Sequence, residues 1–204
     1  MRFNQIQYMK GVVLFIVIAG CSSPATQYYM LSNDAGSVTE LINPTPGPSI
    51  GIAPITLPEA VDRPQFVVRT GNNRITVVDL HRWVGSLKNE IPRVIAGNLL
   101  KILGPANILS YPQHGADTAD IRIYVDIQQF ESVLGKTATI DANVTVQWSD
   151  GKGYRTQRIH VEESVSGDSY DALAAAHSRA LLGMSQSIAS IIRTNVMGPS
   201  APLR

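Results

Sequence analysis

The chain has a single cysteine, Cys21, in 204 residues. That excludes an intrachain disulfide and a thiolate metal site, whatever the redox state of the compartment. No charge of one sign dominates. Seventeen Lys and Arg stand against 16 Asp and Glu, a formal net charge of +1. A near-neutral chain lacks the basic footprint of a nucleic-acid binder. The four histidines, His81, His114, His160 and His177, are isolated, and no pair has metal-ligand spacing. There is no phosphate loop, because Gly151-Lys152-Gly153 lacks the long glycine-rich spacing and the following helix. There is no Gly-x-Ser-x-Gly elbow. Glu162 and Glu163 are adjacent on a predicted strand and so point to opposite faces, which prevents them from converging as a glycosidase pair. His177 falls on an apolar helical stripe and reads as a core-edge or interface histidine ahead of a catalytic base. The residues therefore predict no catalytic site and no metal. An anchored hydrolase is the weakest of the readings.

What is present begins at the N-terminus. Met1–Lys10 carries Arg2 and Lys10 and no acid. The apolar run Gly11–Gly20 then has the length of a signal-peptide core. It falls short of the ~20 apolar residues of an ordinary transmembrane helix. It ends in Ile18-Ala19-Gly20-Cys21, the lipobox order of an aliphatic residue, two small residues and a cysteine. A small residue before the cut lets a peptidase approach the backbone, and the thiol is the nucleophile that accepts diacylglycerol. The alternative is a cytosolic chain with a buried apolar N-terminal helix and a stray cysteine, which leaves the order of these features unexplained.

The expected organisation is a signal peptide over 1–20, a lipidated Cys21 with a short tether over 21–26, one domain over 27–196 and a flexible tail over 197–204. Cleavage removes Arg2 and Lys10 and takes the formal charge from +1 to −1. No cofactor is expected beyond the covalent diacylglycerol and acyl lipid on Cys21. Each buried methylene contributes ~0.8 kcal/mol and one chain binds only marginally, so the two or three chains of a bacterial lipoprotein give stable anchoring. Ser22 stands where an Asp would retain a Gram-negative lipoprotein in the inner membrane. The expected location is therefore the periplasmic face of the outer membrane. Ser22–Thr26 spans under ~20 Å fully extended, which holds the domain close to that membrane.

The periodicity predicts an α+β domain: an antiparallel sheet, built from a meander and hairpin strands, with two long helices packed on one face. Gln27–Leu31 and Ile50–Ile55 read as strands, separated by a Gly/Pro/Ser/Asn-rich loop. Phe66–Arg69 and Arg74–Val78 flank Thr70-Gly71-Asn72-Asn73 as a hairpin. Trp83 opens the first helix, which runs to Leu103; Pro92 moves the start of its regular part to about Ile91, and Gly104-Pro105 stops it. Ile108-Leu109 adds a short strand. Ile121, Ile123, Val125 and Ile127, then Ala138 through Trp148, then Tyr154–Val165 form a meander with one apolar face and a tight Asp150-Gly151 turn. Leu173, His177, Ala180, Leu181, Met184, Ile188, Ile191 and Ile192 mark the last helix, with Asp168 or Ser169 as its cap. Arg63-Pro64-Gln65, Arg69 and Trp83 form either a fold-making loop over a buried Trp or a partner-docking rim, since Arg and Trp are enriched at interface hot spots.

Several of these pieces occur in an order that resembles a known family. The lipobox is followed by Tyr28-Tyr29-Met30-Leu31, by Ile50-Gly51-Ile52-Ala53-Pro54-Ile55 leading to Leu57-Pro58, by Arg63–Arg69, and by Trp83. Together they look like the auxiliary lipoproteins of ABC-type transport systems, the PqiC (YmbA) group, over nearly the whole mature chain. Where members often carry an acid and a proline soon after the Trp, this chain has Val84-Gly85-Ser86. The resemblance implies a non-catalytic outer-membrane component. It would meet an MCE-domain assembly and its inner-membrane partners, moving lipids or other hydrophobic molecules across the envelope. A homo-oligomer matching the partner's symmetry is one possible form. The competing class is an envelope-assembly or secretion-system accessory lipoprotein, which needs the anchor but no lipid conduit.

Overall fold

The computed structural model describes residues 24–33, 47–104, 106–151 and 153–196. Cys21, Ser22, the signal peptide and the tail over 197–204 lie outside the described residues. Two sheets and two helices form an α+β body. The strands are β1 (Gln27–Tyr29), β2 (Ile50–Ile52), β3 (Gln65–Gly71), β4 (Arg74–Trp83), β5 (Ile108–Ser110), β6 (Ile121–Val133), β7 (Thr137–Trp148) and β8 (Gly153–Ser164). The helices are α1 (Leu87–Leu103) and α2 (Tyr170–Val196).

A large sheet has the order β5-β2-β6-β7-β8, and a small one has β1-β4-β3. The expectation of one antiparallel sheet needs correction on two points. The hairpin builds a sheet of its own. In addition β2 runs parallel to both β5 and β6, and β1 runs parallel to β4. The reason is the length of the connections. Strands joined by a tight turn pair antiparallel, as in β3–β4, β6–β7 and β7–β8, whereas the long connections between β2, β5 and β6 and between β1 and β4 permit a parallel return.

The meander follows its alternation. Ile121, Ile123, Val125 and Ile127 of β6 pack on the same face as Ala138, Ile140, Ala142, Val144 and Val146 of β7. Register shifts at Gln128, which has no opposite number on β7. Such a bulge reverses which parity faces the core, so Phe130 and Ser132 turn inward in place of the odd positions. Gly151, at φ 84°, allows the tight β7–β8 turn.

Helix α2 lies on the apolar face. Leu173, Ala180, Leu181, Met184, Ile188, Ile191 and Ile192 are all buried. Ser169, not Asp168, caps it: the Ala172 amide donates to Ser169 Oγ at 3.1 Å. Helix α1 packs beside α2 through Ile91, Val94, Ile95 and Leu99, and Asn98 Nδ2 donates to Ser185 Oγ at 3.4 Å. Two expectations about α1 fail. Trp83 does not open it, because the β-branched run of β4 carries pairing on to Trp83, opposite Tyr29 of β1. The helix also begins at Leu87, ahead of Pro92. A proline in the second turn removes one hydrogen bond, and burial of Leu87, Ile91 and Pro92 itself outweighs that loss.

Candidate docking face and the aromatic joint beneath it

Where the small sheet meets the large sheet and α2, seven rings pack in a continuous chain. Tyr170 stacks on His81 with centroids 3.9 Å apart, and His81 stacks on Tyr29, whose hydroxyl lies 2.7 Å from His81 Nδ1. Tyr29 meets Phe66 edge-on at 5.3 Å. Phe66 stacks on Trp83 at 4.1 Å, Trp83 meets Phe130 edge-on, and Phe130 stacks on His177 at 4.0 Å. The joint binds elements far apart in sequence: β1, both strands of the hairpin, β6 after its bulge, and α2. Aromatic pairs of these geometries each contribute ~0.5–1.5 kcal/mol beyond their buried area.

His177 is fully buried, and its Nε2 lies 2.8 Å from Ser132 Oγ. Burial lowers its pKa from 6.5 to about 3. The ring is therefore neutral at physiological pH, and it lies inside the core, deeper than the core edge its sequence position indicated. Burial, then Asp171 and Tyr170, raise the pKa of the Tyr29 hydroxyl.

The four residues expected to form a docking rim divide. Trp83 is 4% exposed and serves the joint, with an edge at the floor of a surface groove. Arg63 is exposed, Gln65 is half-buried, and Arg69 is exposed and ion-paired with Glu131. Gln65 and Arg69 share the outward face of the small sheet, since Gln65 lies opposite Arg82 and Arg69 opposite Ile75. Two open grooves flank this face. One of about 150 Å³ is lined by Pro58, Val61, Val67, Arg69, Ile75 and Gln129. The other, about 280 Å³, is lined by Arg63, Pro64, Trp83, Val84 and Ser86. Both fall below the ~300–1,000 Å³ of a small-molecule site. The exposed apolar side chains of β1, β4 and their ends are Tyr28, Met30, Ile75, Val77, Leu80 and Val84.

A second cluster escaped sequence reasoning, which placed His160 alone on its strand. Register puts Asp141 of β7 opposite His160, and Arg158 comes from two residues earlier on β8. Arg158 donates Nε and a terminal nitrogen to the two carboxylate oxygens at 2.8 and 3.0 Å, and His160 Nδ1 lies 3.2 Å away. These bonds hold the pKa of the Asp141 carboxyl below its ordinary value, Arg158 contributing most. The signal was available in the Asp150-Gly151 turn, which fixes the register. Among the described residues, no group of three His, Cys, Asp or Glu side chains could hold a metal.

The two-sheet α+β body thus carries an apolar outward face, with grooves edged by Arg63 and Arg69. The chain is a member of the family of ABC-type transport auxiliary lipoprotein components, whose model matches residues 29–189. No curated protein matches it. Among solved structures, an uncharacterized protein is similar with a TM-score of 0.67 and 16% identity, covering 83% of this chain and 99% of its own. A Xanthomonas campestris protein of family DUF330 is similar with a TM-score of 0.64 and 16% identity, covering 84% and 100%. At that identity the likeness shows the fold.

Proposed function

We propose that this protein is a non-catalytic subunit of an ABC-type transport system. In this reading it is anchored by lipid on Cys21, sorted by Ser22 to the periplasmic face of the outer membrane, and docked on an MCE-domain assembly that carries lipids or other hydrophobic molecules. The observation that carries the reading is the family match over 29–189, downstream of a complete lipobox. The domain contributes a docking surface, and Arg63, Gln65 and Arg69 supply polar contacts along the outward face and its two grooves. Trp83 supports them from below. Confinement of both partners to one thin compartment raises their effective concentration, so a modest interface suffices.

The test is affinity capture of the full-length anchored protein from detergent-solubilised envelopes, with intact-mass analysis of the same sample. Co-purification of an MCE-domain protein supports the reading, and its loss with Arg63→Glu plus Arg69→Glu supports the rim. Recovery of secretion or envelope-assembly components in its place supports the competing class. A free sulfur on Cys21 with residues 1–20 still attached refutes the anchor.

A further inference from the structure

The most exposed apolar side chains of the small sheet gather where the chain leaves toward Cys21. Tyr28, Met30 and Val84 are 62%, 59% and 64% exposed. The backbone holds them together, because the Val84 amide donates to the Tyr29 carbonyl at 2.8 Å and Tyr28 lies opposite Arg82. Tyr29, Leu31 and Trp83 are turned into the core. Alternation therefore sends Tyr28, Met30, Arg82 and Val84 to the outward face. A sheet with one packed face ordinarily presents polar residues on the other. Here three of the four outward residues at this corner are apolar, and the fourth is an arginine. Arg63 lines the groove that Val84 also borders.

Tyr28 is seven residues from Cys21. Even fully extended, the connection keeps it within about 24 Å of that sulfur. We infer that this corner rests in the interface of the membrane that holds the Cys21 lipid. Tyr28, Met30 and Val84 sit at the boundary of headgroups and acyl chains, and Arg82 sits at lipid phosphates. The inference depends on lipidation of Cys21. Lipid is the occupant because, among the described residues, this exposed apolar group begins only seven residues from Cys21, so the tether keeps it close to the lipid surface. The side chains suit that boundary. A tyrosine offers an apolar body and a polar tip, and a guanidinium matches phosphate. The consequence is orientation: an acyl anchor alone lets the domain swivel, whereas a second contact at the tether exit fixes which face points into the periplasm. The hairpin groove, with Val67, Arg69 and Ile75, stays clear for a protein partner.

The experiment uses the processed, full-length lipoprotein in phosphatidylethanolamine–phosphatidylglycerol vesicles. Met30→Cys, Val84→Cys and Tyr154→Cys each carry a thiol-linked environment-sensitive fluorophore, and quenchers are placed on lipid acyl chains or in the water. A thioether at Cys21 takes no label, so labelling of the unsubstituted protein reports separately on the anchor. The expected result is a roughly twofold loss of emission to the lipid quencher at positions 30 and 84, with little at 154, as for groups seated 5–10 Å into the interface. Equal response at all three positions overturns the orientation. Aqueous quenching at 30 and 84 with Cys21 unlabelled overturns the membrane contact while leaving the anchor intact. Cross-linking between copies at 30 or 84 without lipid quenching assigns the corner to a second copy and also overturns it. Label uptake by the unsubstituted protein shows that the anchor itself has failed, and the inference with it.

Discussion

The neutral, buried His177 makes a quantitative prediction about acid stability. In the unfolded chain an imidazole titrates near 6.5; in the core its pKa is about 3. Between those values the unfolded state binds a proton that the folded state refuses. Stability therefore rises with pH across that window and falls as pH drops through it. At pH 5 the solution lies about 1.5 units below the unfolded value, and each unit corresponds to ~1.36 kcal/mol, so His177 removes about 2 kcal/mol relative to pH 7.5. For a domain of this size that is about 4–8 °C in Tm.

The perturbation is His177→Phe combined with Ser132→Ala. The ring stacked on Phe130 is kept, and the hydroxyl that faces Nε2 is removed, so no polar partner is left unpaired. Urea unfolding at pH 7.5, 6 and 5 gives the stability of both proteins, with the m-value held as a check on two-state behaviour. Whatever the offset at pH 7.5, the double variant should gain about 2 kcal/mol on the parent by pH 5. All other titrating groups are common to both proteins and cancel in the difference. A difference that stays constant from pH 7.5 to 5 would refute the reasoning, because it would mean that the imidazole protonates in the folded core without cost.

Three further outcomes follow from the packing. Gly51→Ala should lower the urea midpoint, since the added Cβ would lie 1.9 Å from the Ala116 carbonyl oxygen, a backbone atom that cannot swing aside; overpacking of this kind destabilises by ~1–3 kcal/mol or more. Ser169→Ala should lower Tm by about 2–4 °C in calorimetry, from loss of a cap worth ~1 kcal/mol. Arg158→Ala should raise the Asp141 pKa in a carboxyl NMR titration. A carboxyl whose folded pKa is depressed stabilises above its unfolded pKa and loses that contribution as pH falls, so acid unfolding of the variant should begin at a higher pH.

The elements that local chemistry determines were legible in the sequence. The meander declared itself by alternation and by Asp150-Gly151, and α2 by a stripe of eight residues, all buried in the structure. The hairpin was found, but its strand β4 was read too short, because the alternation breaks between Val78 and Trp83 and Trp83 resembles a helix start. Pairing with β1, where Tyr29 lies opposite Trp83 54 positions away, and with β3, where Gln65 lies opposite Arg82, keeps that segment extended. Parallel pairing of β2 with β5 and β6 was illegible for the same reason: nothing within the three residues of β2 specifies direction. Charge and polarity put Arg63, Gln65 and Arg69 at the surface, whereas the burial of Trp83 beneath them depends on Phe66 and Phe130, which only the fold brings to it.

The bulge at Gln128 connects these failures to the docking face. Without it, β6 would continue its odd-numbered alternation and present Gln129 and Glu131 to the core. With it, Phe130 and Ser132 point inward and form the seat for Trp83 and His177. Glu131 is thereby turned outward, where it pairs with Arg69 of the small sheet. One inserted residue thus supplies both halves of the attachment between the sheets, aromatic contacts below and an ion pair above. The exposed ion pair adds little stability by itself, so the aromatic joint carries the attachment and the pair sets its register. The outward face of the small sheet is then tied to the large sheet by the Trp83–Phe130 contact below and the Arg69–Glu131 pair above. If the domain docks as proposed, this attachment is what keeps its outward face in a fixed aspect to the large sheet.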